Sequence, residues 1–293
     1  MAIDSRFFVG IGGRAVEIVC LNREARLLVC FLFADLLVDP EGEPVRRYEM
    51  AVDPVLQGGL VYSDGVAVQE GSSLYHTAYY LMNEVIEQCI TGNEQHHALH
   101  AAAVRCGDCC IVLAGNSGAG KSTLTAWLVT RGFSYLTDEL VLLDADRVIP
   151  FTRPINLKIP APFLEPYCVR YDNLIIMSQD GTMIPYRLLG GSAENSSKSR
   201  QQVTHFLFPS FQEGESPLLE ELSSAQCCLQ LLQCHVNARN LEGLGVSSLA
   251  RIVRNCRGYR LTYGRTADLE EIFAEERLAS LFGVDALAER LHA

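Results

Sequence analysis

The 293-residue sequence predicts an α/β fold with a smaller α+β region at its N-terminus. Two observations favour this class. From about residue 97 onward, short apolar strands alternate with helical segments, which is the order typical of α/β proteins. One of these units has a glycine-rich loop between the apolar strand 110–114 and a helix that begins at Lys121. We expect a boundary near residue 95, which divides the chain into an accessory domain over 1–95 and a second domain over 96–293.

The region before residue 95 has the pattern of a small α+β domain. Short strands separated by turn residues are expected at 7–10, 15–20 and 47–52. The apolar run 27–37 fits a helix or a buried strand equally, because it is too short for its periodicity to separate the two. The segment 75–90 carries apolar residues at helical spacing, and Gly92 is expected to end that helix.

Composition excludes several classes of protein. Apolar residues make up 48% of the chain and charged residues 20%, which indicates a packed globule rather than a disordered chain. The net charge of −11 argues against a protein whose main partner is nucleic acid or an anionic membrane. The longest apolar run, 27–38, is too short to span a bilayer, and no secretory signal is visible. We therefore expect a cytoplasmic protein with neither nucleic acid nor a membrane as its partner.

Eleven cysteines are present, and their pattern does not predict a disulfide framework. An odd number of cysteines in a long chain is unlike the small secreted domains that depend on disulfides. Cys106 and Cys109 form a single CxxC pair, whereas a structural zinc site usually takes its four ligands from two such pairs. We interpret most cysteines as small buried apolar residues in a reducing compartment, with a metal site at this pair as the alternative.

The glycine-rich loop carries the strongest chemical signal. It matches the pattern G-x-x-x-x-G-K-[ST], in which glycines allow backbone N–H groups to converge on phosphate oxygens. The helix that follows directs its positive N-terminal end at the same oxygens. Lys121 would contact the β- and γ-phosphates, and Ser122 would offer its hydroxyl to Mg²⁺. The predicted phosphate-binding residues are Gly115, Asn116, Ser117, Gly118, Ala119, Gly120, Lys121, Ser122 and Thr123.

An acidic pair, Asp138 and Glu139, ends the next expected strand. Adjacent strand residues point to opposite faces, so we expect one of the two carboxylates to enter the site. Asp138 is the first choice, as a general base or a ligand of Mg²⁺ together with Ser122, and Glu139 is the second choice. The alternative is that both carboxylates lie at a solvated strand end.

Two further residues are candidates for the site. His100 lies on the strand expected at 99–104, just before the strand that leads into the loop, and it fits either a catalytic or a structural role. Arg153 would hold the γ-phosphate or the acceptor with its bidentate guanidinium, and the alternative is a solvated face.

Three segments together resemble the HPr kinase/phosphorylase family, and most closely its HprK-related kinase A group. They are LHAAAV at 99–104, GNSGAGKSTL at 115–124 and RGFSYLTDE at 131–139. The resemblance covers about residues 75–265 and implies a P-loop kinase core related to phosphoenolpyruvate carboxykinase. It also implies ATP, Mg²⁺ and phosphoryl transfer to a serine hydroxyl, with Asp138 as the acid/base residue and His100 as the active-site histidine.

The sequence also departs from this family. The E-[IV]-R-G-x-G segment of HPr kinases is not found, and the first 95 residues do not resemble the family's regulatory domain, so HPr itself is not implied as the acceptor. We expect an ATP-dependent kinase that acts on a hydroxyl of a protein, a peptide or a small molecule. An ATP-binding switch that regulates a partner and a non-catalytic scaffold are the alternatives. The resemblance allows a homo-oligomer, since the relatives assemble, but the sequence itself does not give the oligomeric state.

Overall fold

The computed structural model describes residues 6–39, 42–55, 58–158, 161–191 and 200–274. The protein is mixed α/β with several sheets. The strands are β1 (Arg6–Ile11), β2 (Arg14–Cys20), β3 (Arg46–Val52), β4 (Gly59–Ser63), β5 (Val66–Glu70), β6 (His97–Leu99), β7 (Ala101–Cys106), β8 (Cys109–Ala114), β9 (Ser134–Thr137), β10 (Val141–Asp144), β11 (Arg147–Ile149), β12 (Ile155–Leu157), β13 (Ile176–Ser178), β14 (Gly181–Ile184), β15 (Gln201–Gln202), β16 (His205–Phe211), β17 (Leu218–Leu222) and β18 (Arg257–Tyr263). The α-helices are α1 (Arg23–Phe33), α2 (Leu74–Ile90), α3 (Lys121–Thr130), α4 (Glu165–Arg170), α5 (Ser224–Gln233), α6 (Val246–Val253) and α7 (Asp268–Ile272). No helix in these ranges is both long and apolar enough to cross a bilayer.

The chain divides into two compact units. The first unit contains Met1–Asn93, Thr152–Pro160 and Cys168–Pro185, and the second contains Glu94–Phe151, Ala161–Tyr167 and Tyr186–Ala293. The first unit therefore draws on two later segments that no composition shift in the sequence indicates. The roles expected for the two predicted domains, accessory and catalytic, stay predictions.

The first unit is built on a five-stranded sheet in the order β1-β2-β3-β4-β5, with β12-β14-β13 as a separate three-stranded sheet. Alternate residues of β3, namely Tyr48, Met50 and Val52, are buried, as expected for a sheet with one covered face. Helices α1 and α2 both contact this sheet. The ambiguous run 27–37 is helical as far as Leu36, in α1 and then in a 3-10 turn, and Leu37 forms a single antiparallel bridge to Val9. Helix α1 begins after the N-cap Asn22, whose side chain accepts the N–H of Ala25.

The second unit is built on a six-stranded sheet in the order β17-β18-β16-β8-β7-β9, and a four-stranded sheet in the order β15-β11-β10-β6. Strands β8, β16 and β18 run parallel, whereas β7 pairs antiparallel with β8. Helix α3 packs on β7, β8 and β9 and buries Leu124, Trp127 and Leu128, the face that its spacing predicts. Val112 of β8 lies in a core cluster with Leu231 of α5 and Leu249 of α6.

The strand expected at 99–104 is interrupted, which corrects the sequence prediction. Strand β6 ends at Leu99 and β7 begins at Ala101, so His100 lies between two strands rather than on one. The physical reason is that β6 pairs with β10 in the smaller sheet, whereas β7 pairs with β8 in the larger one. The backbone must turn where it passes from one sheet to the other, and His100 is the residue at that turn.

Candidate functional site

The glycine-rich segment 115–123, called the phosphate loop after its predicted role, connects the end of β8 to α3 and includes the first residues of that helix. Gly118 and Gly120 have φ values of +85° and +89°, in the left-handed region that residues with a Cβ adopt at a cost. A Cβ on Gly120 would also overlap the hydroxyl of Tyr263. Both conformation and space therefore require glycine at position 120, directly before Lys121.

The ends of two parallel strands hold the loop in place. The Tyr263 hydroxyl, at the end of β18, donates to the Gly120 carbonyl at 3.3 Å. The N–H of Phe211, at the end of β16, donates to the Ala119 carbonyl at 3.2 Å. Burial raises the pKa of Tyr263 well above its usual value, so its hydroxyl remains a donor. The strand ends thus fix the second half of the loop.

The side chain of Lys121 folds back onto the first half of the loop. Its Nζ donates to the carbonyl oxygens of Gly115 at 2.8 Å and Asn116 at 3.0 Å. The same Nζ lies 3.1 Å from Nε2 of His100. Lys121 is only 6% exposed, so these contacts compensate for the burial of its charge.

His100 connects Lys121 to the acidic pair. A lysine ammonium has no acceptor, so Nε2 of His100 must accept its hydrogen bond and the imidazole proton is assigned to Nδ1. Nδ1 lies 3.2 Å from the backbone oxygen of Glu139 and 3.3 Å from its Oε2. The side chains of His100 and Glu139 are 32% and 34% exposed, so a ligand in the site would reach both.

The two acidic residues lie in different environments. Asp138 is fully buried, and its Oδ1 accepts the backbone N–H of Glu139 at 3.0 Å. Glu139 has φ +68°, a conformation that costs a non-glycine residue about 1 kcal/mol or more and that is found most often at functional sites. The structure brings Glu139, the second choice from the sequence, into contact with His100. No sequence signal marks this backbone turn.

The remaining predicted loop residues are accessible to a ligand. Asn116, Ser117 and Gly118 are exposed, while Ser122 and Thr123 are half-buried at the first turn of α3. The Ser122 hydroxyl and the carboxylates of Asp138 and Glu139 are hard oxygen donors of the kind that Mg²⁺ prefers. In the described ranges, no group of three or more His, Cys, Asp or Glu residues is placed to hold a metal. This donor set fits an ion that arrives with a nucleotide, since such ions take few protein ligands.

Arg153 belongs to the first unit, where it is 3% exposed. Its Nη1 donates to Sδ of Met82 at 3.2 Å, so its side chain is buried rather than on a solvated face. Its role in holding a phosphate group stays a prediction.

Cys109, of the CxxC pair, packs against His205, with 3.3 Å between Sγ and Nδ1. Burial raises the pKa of the Cys109 thiol to about 11.

A cleft of about 500 Å³ adjoins the first half of the phosphate loop. Its lining comes from the loop, from the ends of β16 and β18 and from α5. The lining residues with polar side chains are Asn116, Ser117, Ser210, Gln212, Gln230, Gln233, Cys234, Arg260 and Thr262. Sequence reasoning did not find this cleft, because residues from four separate segments form it and none of them makes a local motif.

Comparison with known proteins finds weak likenesses among solved structures. No protein-family model matches the sequence, and no curated protein matches it. Among solved structures, the HPr(Ser) kinase/phosphatase from Coxiella burnetii matches with 13% sequence identity and a TM-score of 0.28. The match covers 67% of this chain and 98% of that chain. A likeness of this size assigns neither a family nor a reaction to this protein.

Proposed function

We propose that the second unit is an ATP-dependent phosphotransferase with a P-loop kinase core of the HPr kinase/phosphoenolpyruvate carboxykinase type. The observation that carries the proposal is the row of contacts from the phosphate loop through Lys121 and His100 to Glu139. It joins a polyphosphate-binding lysine to a neutral imidazole and a carboxylate, which are the groups needed to bind a triphosphate and remove a proton.

The loop residues 115–123 would bind the triphosphate through backbone N–H groups and the N-terminal end of α3. Lys121 would exchange the carbonyl oxygens of Gly115 and Asn116 for phosphate oxygens. Mg²⁺, when bound with the nucleotide, neutralises charge on the phosphate oxygens. Ser122 and one carboxylate of Asp138 and Glu139 would hold it.

The transfer step then needs a proton acceptor beside the acceptor hydroxyl. As the hydroxyl oxygen bonds to the γ-phosphorus, the bond from that phosphorus to the bridging oxygen breaks and ADP leaves. We assign Nε2 of His100 as the atom that takes the hydroxyl proton, because release of Lys121 frees its lone pair. The Glu139 carboxylate would stabilise the imidazolium that results. Asp138, the base that the family resemblance implies, is instead a positioning residue that holds the N–H of Glu139.

Transfer of labelled phosphate from [γ-³²P]ATP tests the proposal. The protein is incubated with Mg²⁺ and ATP, first with water as the acceptor and then with hydroxyl compounds and seryl peptides. We expect ADP formation that depends on Lys121 and a labelled acceptor that is stable as a phosphate ester. ADP formation in which all of the label appears as inorganic phosphate, combined with partner affinity that differs between ATP and ADP, would overturn the kinase and assign a switch.

A further inference from the structure

We propose that the cleft beside the phosphate loop is the acceptor subsite, and that it takes a small hydroxyl compound carrying a carboxylate or phosphate group. This proposal rests on the phosphotransferase function above and names the substrate class of the same site. It separates a small-molecule acceptor from a protein or peptide, which the sequence does not do.

The cleft adjoins residues that hold Lys121 and His100 in place. Asn116 lines the cleft, and its carbonyl oxygen accepts from Nζ of Lys121. Cys234 also lines the cleft, and its carbonyl oxygen accepts the backbone N–H of His100 at 2.7 Å. The residues that hold Lys121 and His100 are therefore also walls of the cleft. A molecule bound in the cleft would therefore contact residues that hold the lysine and the histidine of the proposed site.

The lining of the cleft is largely polar and contains one cationic side chain. Four residues with amide side chains and three with hydroxyls line the cleft together with one arginine, and no carboxylate side chain is among the described lining residues. Amides and hydroxyls bind hydroxyl groups and carboxylates through several hydrogen bonds, whereas a carboxylate in the lining would repel an anion.

Arg260 supplies the positive charge in the lining of the cleft. Its side chain is 43% exposed, and Nη1 lies 3.6 Å from Oε2 of Glu220 on the neighbouring strand. An ion pair this exposed contributes little to stability, so its partner is easily exchanged. The planar guanidinium matches a carboxylate or phosphate with two parallel hydrogen bonds. Arg260 would therefore bind the anionic end of the acceptor.

The volume of the cleft limits the size of the molecule that it can bind. About 500 Å³ lies within the range of small-molecule sites, which bury most of the ligand surface. A docked protein would instead bury about 800 Å² of each partner over a broad surface. The dimensions of the cleft thus favour a compact hydroxy acid or a phosphorylated hydroxyl compound.

The experiment uses the full chain with MgATP and a panel of hydroxyl compounds. Glycerate, L-serine and glycerol 3-phosphate are the anionic or zwitterionic members, glycerol is the uncharged control, and a seryl peptide is the macromolecular control. The rate of ADP formation above the rate with water is measured, and products are identified by mass. We expect an anionic member to gain one phosphoryl group and glycerol and the peptide to remain unchanged.

Variants link the activity to the cleft. We expect Arg260→Gln to raise at least tenfold the apparent KM for the small compound that the wild type phosphorylates. Gln233→Ala should raise this KM as well, while MgATP still stabilises both variants. Arg257→Gln is the matched control, because Arg257 is exposed on the same strand but does not line the cleft.

Three results would overturn the subsite. The first is phosphorylation of the peptide but of no small compound, and the second is phosphorylation of no member of the panel. The third is loss of MgATP stabilisation in Arg260→Gln, which would show that the nucleotide, and not the acceptor, binds in the cleft. Failure of the underlying function is distinguishable from failure of the subsite alone, because the wild-type protein would then either show no stabilisation by MgATP or transfer phosphate to no acceptor at all, the peptide included.

Discussion

Nζ of Lys121 lies 3.1 Å from Nε2 of His100, so the phosphate loop is hydrogen-bonded directly to the turn between β6 and β7. The contact places the imidazole proton on Nδ1 and directs it at Glu139. A polyphosphate that binds Lys121 therefore changes the hydrogen bonding of His100 at the same time. Under the proposed function, nucleotide binding and the activation of the proton acceptor would thus be coupled through this pair of atoms.

Replacement of Lys121 by Ala should abolish stabilisation by MgATP. At a hundred times its Kd, a ligand stabilises the native state by about 2.7 kcal/mol, which is several degrees of Tm for a chain of this size. Thermal unfolding with and without MgATP measures the effect, and urea unfolding without nucleotide checks that the variant is folded. A shift in the variant equal to that of the wild type would show that the nucleotide binds elsewhere.

His100→Ala should slow ATP hydrolysis by about a hundredfold or more without loss of MgATP stabilisation, because it removes the proposed proton acceptor. Glu139→Gln should cost roughly tenfold, since the backbone oxygen of Glu139 still orients Nδ1. The release of ADP with water as the acceptor gives these rates.

Asp138→Asn distinguishes the two candidate bases. The amide oxygen of Asn still accepts the N–H of Glu139, so a positioning role predicts a change of only a few fold. A general base at Asp138 would instead lose about 10²-fold to 10⁴-fold in rate. A loss of that size, with normal kinetics in His100→Ala, would return the role of base to Asp138.

Gly120→Ala should destabilise the fold by more than about 1 kcal/mol and prevent MgATP binding, because its φ is positive and its Cβ would overlap the Tyr263 hydroxyl. Tyr263→Phe removes that hydroxyl. The double variant should therefore lose less free energy of unfolding than the sum of the two single losses, and urea unfolding measures all three values. Additive losses would mean that the overlap is not the cause.

A buried histidine pair predicts a pH dependence of stability. Nδ1 of His97 lies 3.3 Å from Nε2 of His235, and Nε2 of His97 lies 2.8 Å from the Ser248 hydroxyl. Burial first, and then the charge of His235, lowers the pKa of His97 from 6.5 to about 4. The neutral form is thus favoured in the native state, so stability is fully present above pH 6.5 and is lost as the pH falls toward 4.

Between pH 7.5 and pH 5 we expect a loss of about 2 kcal/mol from this group. Urea unfolding at the two pH values measures it in the wild type and in His97→Gln. The variant should be less stable than the wild type at pH 7.5 but should lose less on acidification. Equal losses in both proteins would assign the pH dependence to other groups.

The sequence predicted the elements whose signals are local. The loop 115–123, the helix that follows it and the buried face of Leu124, Trp127 and Leu128 all follow from spacing over fewer than twenty residues. The break at His100 was missed, because an apolar run gives no sign that its two halves pair in different sheets.

The arrangement of the site was harder to predict from the sequence, for a different reason. Glu139 reaches His100 because its backbone takes a left-handed conformation, which residue type does not reveal for a glutamate. The cleft depends on contacts between the loop, α5, β16 and β18, which are distant in sequence. Pairings of that kind are set by tertiary packing rather than by local preference.

The hairpin of β7 and β8 turns tightly between Cys106 and Cys109, and it brings the chain at Ala101 back beside Ala114. Lys121, His100 and Glu139 are therefore assembled from one continuous stretch of chain with short loops to close. Contacts between near neighbours in sequence form fastest in folding, because little chain entropy is lost before they are made. A refolding chain should thus acquire the lysine–histidine contact early, and the walls of the cleft only when the distant strands β16 and β18 have joined the sheet.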